Sequence, residues 1–460
     1  MKEPQNNHLQ SRTLTWERPT GTINDQTRTG ANTEETDPTT FYIKGDFIHA
    51  EDPDTLIEHA GSFMQVTGGR VKGFHAEPEE GLPVMDCTGQ LLIPSFVDLH
   101  VHAAQYPNLG LGMDMPLLPW LNTYTFPLEA KFKDPAYARL VYPRFIHGLW
   151  RYGSLRSCIF ASLHRESTEI LMDLLLTSGL SAYVGKVNMN RNSPETLIES
   201  TEESLSATRQ WLEKYSDRNS RVRPILTPRF VPSVSADLMD GLADLAREFD
   251  VPVQSHLNEN LDEIQWVKEL HPESASYFDV YRDHDLVRDN ATIMAHSIYN
   301  SPEEDLVIAK SGVFMVHCPT SNLNMASGMM PAAAYLRSGK VNVALGTDIA
   351  GGHTLSIPRC IVSAMQISNM LFILGKCDKP LTLSEAFWMA TRGGGKFFGE
   401  AGSFAAGAPC DLLVIDDSRT LKLKELSLKD RLSRFIFSGE PSEIRVRMLE
   451  GQIIPEPPFL

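Results

Sequence analysis

The chain has 460 residues and a formal charge of −16, from 42 Lys and Arg against 58 Asp and Glu. That length suits one barrel-sized domain with a smaller one beside it. The charge balance argues against nucleic acid, because phosphate binding depends on clustered Lys and Arg, and it favours small or neutral substrates. No run approaches the roughly 20 apolar residues of a membrane span, and the N-terminus lacks the apolar segment of a secretory signal. Six cysteines lie far apart with no C-x-x-C spacing, which suits a reduced, cytoplasmic setting and buried thiols.

Residues 1–40 are rich in Asn, Thr, Gln and Glu, with scattered apolar residues such as Leu14, Trp16 and Ile23. Such a segment cannot offset its ordering entropy and reads as a disordered tail. Residues 41–90 carry short strand-like runs, at 41–43, 47–48, 63–66 and 71–74, punctuated by glycines. They read as the first part of a small β-sandwich domain. Its second part is expected in 399–460, where apolar runs recur at 411–415, 444–448 and 450–454.

Between these, residues 91–398 alternate apolar runs with helical patterns. The runs fall at 91–100, 157–161, 182–187, 222–227, 251–256, 291–296, 313–317 and 341–348. Eight strands with intervening helices make the fold class α/β, a (β/α)8 TIM-like barrel, although a doubly wound open sheet would also alternate. Two linkers have clear helix grammar. Ser301-Pro302-Glu303-Glu304 offers an N-cap, a first-turn proline and a capping-box Glu. Residues 235–249 carry Leu238, Leu242 and Leu245 at three- and four-residue spacing, a core-facing stripe.

Polar residues interrupt the strands at their C-terminal ends, where such a barrel holds its active site. His100 and His102, two apart and so on one face, end the first. His256 ends the fifth, His296 the sixth and Asp348 the eighth. Imidazole nitrogen and carboxylate oxygen are the ligands of a borderline metal such as zinc, whose catalytic sites keep a position for water. Three residues beyond His256, Glu259 is placed to carry protons beside such an ion. Asp348 is placed to ligate the metal, to take a proton from the attacking water, or to do both.

The set Val97-Asp98-Leu99-His100-Val101-His102, His256-Leu257-Asn258-Glu259, His296 and Gly346-Thr347-Asp348 resembles the amidohydrolase superfamily of metal-dependent hydrolases and deaminases. Within it, His102-Ala103-Ala104-Gln105-Tyr106, Tyr124-Thr125-Phe126-Pro127, Thr227-Pro228-Arg229-Phe230 and His317-Cys318-Pro319 are similar to the guanine-deaminating branch. The likeness runs from about residue 90 to 400. Gly352-His353-Thr354-Leu355 and Met329-Met330-Pro331 depart from that pattern, and the segment before Thr40 has no counterpart in it.

The resemblance implies a homodimer with one Zn2+ per chain, held by His100, His102, His256, His296 and Asp348. It implies substrate contacts from Gln105, Arg229 and Phe230, with Trp120 as a wall. The implied reaction is hydrolysis of guanine to xanthine and ammonia, in which hydroxide generated at the zinc attacks C2 while Glu259 and Asp348 shuttle protons. An arginine fork suits the O6 and N7 acceptors of guanine, and Gln105 offers a donor and an acceptor for the N3 and amino side. Adenine presents a donor in place of O6 and should be refused. Lys186, in the third strand run, is expected to be a packed or paired cation and not a bridge between two metals. Two alternatives stand beside this reading: an amidohydrolase deaminating or dechlorinating another ring, such as a triazine or pterin, and a catalytically silent scaffold. The H-x-E with P-C-x-x-C pattern of cysteine-ligated deaminases is absent.

Overall fold

The structure, a computed structural model, describes residues 40–215, 217, 220–418 and 425–459. The expected tail at 1–40 lies, except for Thr40, outside the described residues. Eight parallel strands follow the alternation seen in the sequence: Phe96–His102, Ser154–Phe160, Ser181–Gly185, Val222–Pro224, Val253–Leu257, Thr292–His296, Phe314–His317 and Asn342–Leu345. They are hydrogen-bonded as two four-stranded sheets in chain order. Two seams close them into a barrel. At the first, Leu226 bridges Val253, and the Gln254 N–H donates to the Leu226 carbonyl at 2.9 Å. At the second, the Asp348 N–H donates to the His100 carbonyl at 2.8 Å and the His102 N–H to Ile349 at 3.2 Å.

A side chain completes the second seam. The buried Asp98 carboxylate accepts the Thr347 N–H at 3.0 Å and the Thr347 hydroxyl at 2.5 Å. Burial pushes this carboxyl up, to about 6, against the opposing pull of those hydrogen bonds. The link ties the strand bearing His100 and His102 to the turn bearing Asp348.

Strand periodicity sorts the barrel into two cores. Leu99, Ile293, Ala295, Phe314, Val316 and Ala344 share an interior cluster, while Met294, Met315, Val343 and Leu345 join the larger core that includes the surrounding helices. Helix Ala236–Phe249 buries Leu238, Leu242 and Leu245 and is capped by the Ser235 side chain. Helix Pro302–Ile308 carries the full capping box of Ser301 and Glu304.

Both chain ends build the small β-domain. Its single seven-stranded sheet runs, in spatial order, Gln452–Ile453, Ile444–Leu449, Leu412–Ile415, Val84–Pro94, Phe41–Ala50, Leu56–Thr67 and Arg70–His75. Alternation again gives two faces. Leu92, Leu412 and Val414 join a domain core, and Leu91, Ile93, Leu413 and Ile415 join the barrel's larger core. Val71 and Met448, from opposite sides of the sheet, share the domain core. The sheet therefore folds over on itself, giving a sandwich-like packing from one sheet.

The run at 91–100, expected as one barrel strand, divides at Ser95. Leu91 to Pro94 finish a strand of the small domain and Phe96 starts the barrel. The Ser95 N–H turns to the Asp411 carbonyl at 3.1 Å and the Phe96 N–H to Gly153 at 3.1 Å. Both strands are buried at this point, so hydropathy shows no break. No helix among the described residues is long and apolar enough to cross a membrane, and all six cysteines are free.

Candidate metal centre and substrate cavity

The strand ends bring the five expected metal-binding side chains to one mouth. His100 Nε2 lies 3.2 Å from His102 Nε2. One Asp348 oxygen lies 3.2 Å from His100 Nε2 and 3.4 Å from His102 Nε2, and the other lies 3.7 Å from His296 Nε2. The His256 ring centroid is 4.8 Å from that of His100 and 5.4 Å from that of His296. His296 and Asp348 have left-handed backbones, with φ of 74° and 48°. Side chains other than glycine seldom adopt that conformation, and it recurs where a site over-determines the chain.

The donor set fits a cation. His256 Nδ1–H donates to the Arg229 carbonyl at 2.6 Å, and His296 Nδ1–H to Asn322 Oδ1 at 2.9 Å. Each bond fixes a tautomer whose Nε2 lone pair is free, the arrangement that orients metal-binding imidazoles. His296 Nε2 is buried without a hydrogen-bond partner. Burial lowers the pKa of His100, His102 and His256, and repulsion from neighbouring imidazoles adds to it in each. Burial raises Asp348, but His100, His296 and His102 outweigh it and hold the carboxyl well below its usual range. Imidazole nitrogens around a carboxylate make a metal-binding donor set. Cys318 brings its sulfur near His100, His296 and Asp348. Burial pushes this thiol up, and its S–H donates to the Val316 carbonyl, 3.7 Å away.

Beside the centre lies a partly enclosed cavity lined by Gln105, Trp120, Arg229, Phe230, Glu259 and Asp348 among others. All four expected substrate-contact residues therefore meet at it. Trp120 is held by its indole N–H on the Leu111 carbonyl at 2.9 Å. Gly112 at φ 70° lets the preceding loop approach, since a Cβ there would sit 2.9 Å from Trp120 and 2.5 Å from Tyr124.

Glu259 is buried beside the centre, with one oxygen 3.4 Å from His296 Nε2 and the other accepting the Ser327 hydroxyl at 3.2 Å. Burial first, and Asp348 second, push its carboxyl up. It precedes the helix Leu261–Leu270, whose capping-box Glu263 accepts the Glu259 N–H at 3.1 Å. The Tyr277 hydroxyl donates to Glu263 at 2.7 Å.

Sequence reasoning missed Asn322, Glu263 and Glu129. Glu129 is buried and accepts from Gln105 and Arg229 together, at 3.0 and 2.5 Å. Its signal was faint: a carboxylate three residues after Phe126 in an otherwise apolar turn. Lys186 is a paired cation, with its ammonium 2.7 Å from Glu199. His317 is buried without a hydrogen-bond partner on either ring nitrogen, and His164 lines a separate groove.

Residues 91–454 match the amidohydrolase family. The chain belongs to that family, as its barrel and buried His/Asp centre already indicate. Within it, the chain groups with the guanine deaminases. It is 38% identical over 379 residues to guanine deaminase of Dictyostelium discoideum, covering 81% of this chain and 84% of the relative. It is 31% identical over 446 residues to guanine deaminase of Escherichia coli K12, covering 95% and 97%. The structure of guanine deaminase from C. acetobutylicum with guanine bound in its active site superposes with a TM-score of 0.88 at 45% identity, covering 90% of this chain and 100% of that one.

Proposed function

We propose that this protein hydrolyses guanine to xanthine and ammonia, with one zinc ion per chain held by His100, His102, His256, His296 and Asp348. The observation that carries the reading is the pairing of a metal-binding group with a buried Arg229 and Gln105 at one cavity. When bound, zinc lowers the pKa of a water toward ~7 and so supplies the nucleophile. Arg229 donates to O6 and N7, as such a fork does to guanine in nucleic acids. Gln105 reads the N3 and amino side with its donor and acceptor. Phe230 and Trp120 flank the flat ring, a contact worth ~1–3 kcal/mol in base-stacking sites.

Glu259 moves the protons. Its raised pKa suits a group that must both take and give a proton near neutrality. As the water adds to C2, Asp348, held ionised, takes one of its protons and protonated Glu259 gives its own to N3. Glu259 then takes the proton of the new C2 hydroxyl as the carbonyl forms, and the proton held by Asp348 passes to the amino group, which leaves as ammonia, so both carboxyls return to their starting state. A homodimer in the cytoplasm goes with this reading, through the likeness to the guanine-deaminating branch and the unpaired cysteines.

The test is a substrate panel. Zinc-loaded protein incubated with purines, pyrimidines and triazines should release ammonia from guanine, with equal xanthine, and none from adenine. Turnover of a triazine with guanine inert would overturn the reading.

A further inference from the structure

We infer that Glu129 is a positioning residue that aims both guanine-reading side chains, an inference that rests on guanine being the substrate. Its two carboxylate oxygens are divided between them. One accepts the Gln105 amide N–H at 3.0 Å and the other the Arg229 guanidinium at 2.5 Å. All three side chains are buried. Gln105 follows the first barrel strand and Arg229 the fourth, so one carboxylate joins the two sides of the cavity.

The geometry removes the usual ambiguity of a glutamine amide. The Ala350 N–H donates to Gln105 Oε1 at 3.0 Å, while Glu129 demands a donor on the other side. Reversing the amide would set a donor against a donor and an oxygen against a carboxylate. One N–H and one lone pair of Gln105 then remain for a ligand. Arg229 is fixed from two directions by the same short helix, Phe126–Glu129: the carboxylate grips an Nη and the Phe126 ring lies 5.3 Å from the guanidinium carbon. Residues three apart on a helix share a face, so both braces come from one turn.

Glu129 also neutralises Arg229. A buried guanidinium without a counter-charge would draw anions into the cavity. With Glu129 it acts as a directional donor, which suits the uncharged acceptors O6 and N7 of a neutral base.

The inference is tested with a double-mutant cycle on kcat/KM for guanine in zinc-loaded wild type, Glu129→Gln, Arg229→Ala and the double variant, with zinc content measured for each. Glu129→Gln keeps one oxygen but faces two donors, so we expect about a 10- to 100-fold loss of kcat/KM, the scale of a charge-assisted hydrogen bond, with zinc retained. In the Arg229→Ala background the introduced amide oxygen can turn wholly to Gln105, and the further loss should shrink below about 3-fold. Equal losses in both backgrounds would overturn the inference. If Glu129→Gln alone does not fold, the double variant, which removes both charges of the pair, is compared with Arg229→Ala: a further loss of 10-fold or more contradicts the inference and near-equality supports it. A zinc-loaded wild type inert toward guanine would sink the function itself, a result distinct from an active wild type with an additive cycle.

Discussion

The two ends of the barrel bury different kinds of polar group. Beneath it, where the barrel meets the small β-domain, charges are matched. Arg156, near the start of the second strand, donates to Asp411 at 2.7 Å, Glu450 at 3.1 Å and Ser181 at 3.1 Å. Within the small domain Arg431 meets Asp417 at 2.8 Å and Asp46 at 2.6 Å. A buried histidine there, His49, accepts the Phe404 N–H at 3.3 Å. At the upper mouth, His100 Nδ1, His296 Nε2 and Asn322 Nδ2 are buried with no hydrogen-bond partner. A buried polar group left unsatisfied costs ~1–3 kcal/mol. At the mouth these groups share a site in which His296 and Asp348 have left-handed backbone, the combination expected where a barrel carries its chemistry.

Two variants sharpen that contrast. The larger effect belongs to the mouth. Glu259→Gln keeps the shape and the Ser327 contact but cannot move a proton, so kcat for guanine should drop by ~10²–10⁴-fold. Its zinc content and denaturant midpoint should stay at the wild-type values. Full activity in this variant removes Glu259 from proton transfer. The smaller effect belongs to the lower end. Asp411→Asn leaves Arg156 with Glu450 as its anionic partner, so the guanidinium is not orphaned, and we expect urea unfolding to show a loss of about 2 kcal/mol, the scale of one charge-assisted hydrogen bond. The kcat of the folded protein should not change. A variant that unfolds normally yet turns over poorly would erase the division between the two ends.

Much of this was legible in the sequence because periodicity reports burial. Seven of the eight apolar runs each hold one barrel strand, and the Leu238, Leu242 and Leu245 stripe and the Ser301 cap appear where local patterns place them. His100, His102, His256, His296 and Asp348 stood out as polar residues ending apolar strands. Periodicity shows that a face is covered, not what covers it. The break at Ser95 was silent because two different sheets bury the residues on either side of it. Glu129 was silent because its partner Arg229 lies 100 residues away. Asp98 sat within a quoted motif, yet its bond to Thr347 exists only once the barrel closes. A carboxylate flanked by apolar residues is the one sequence cue for both, since such a group is seldom buried without a partner.

The most direct measurement is metal content per folded chain, by elemental analysis of protein purified with zinc and compared with a His256→Ala variant. Because the two potential metal-binding groups share His100 and Lys186 is occupied by Glu199, we expect one zinc per wild-type chain and well under one in the variant. Two zinc ions per wild-type chain, or one retained undiminished without His256, would contradict a single centre built from these five side chains.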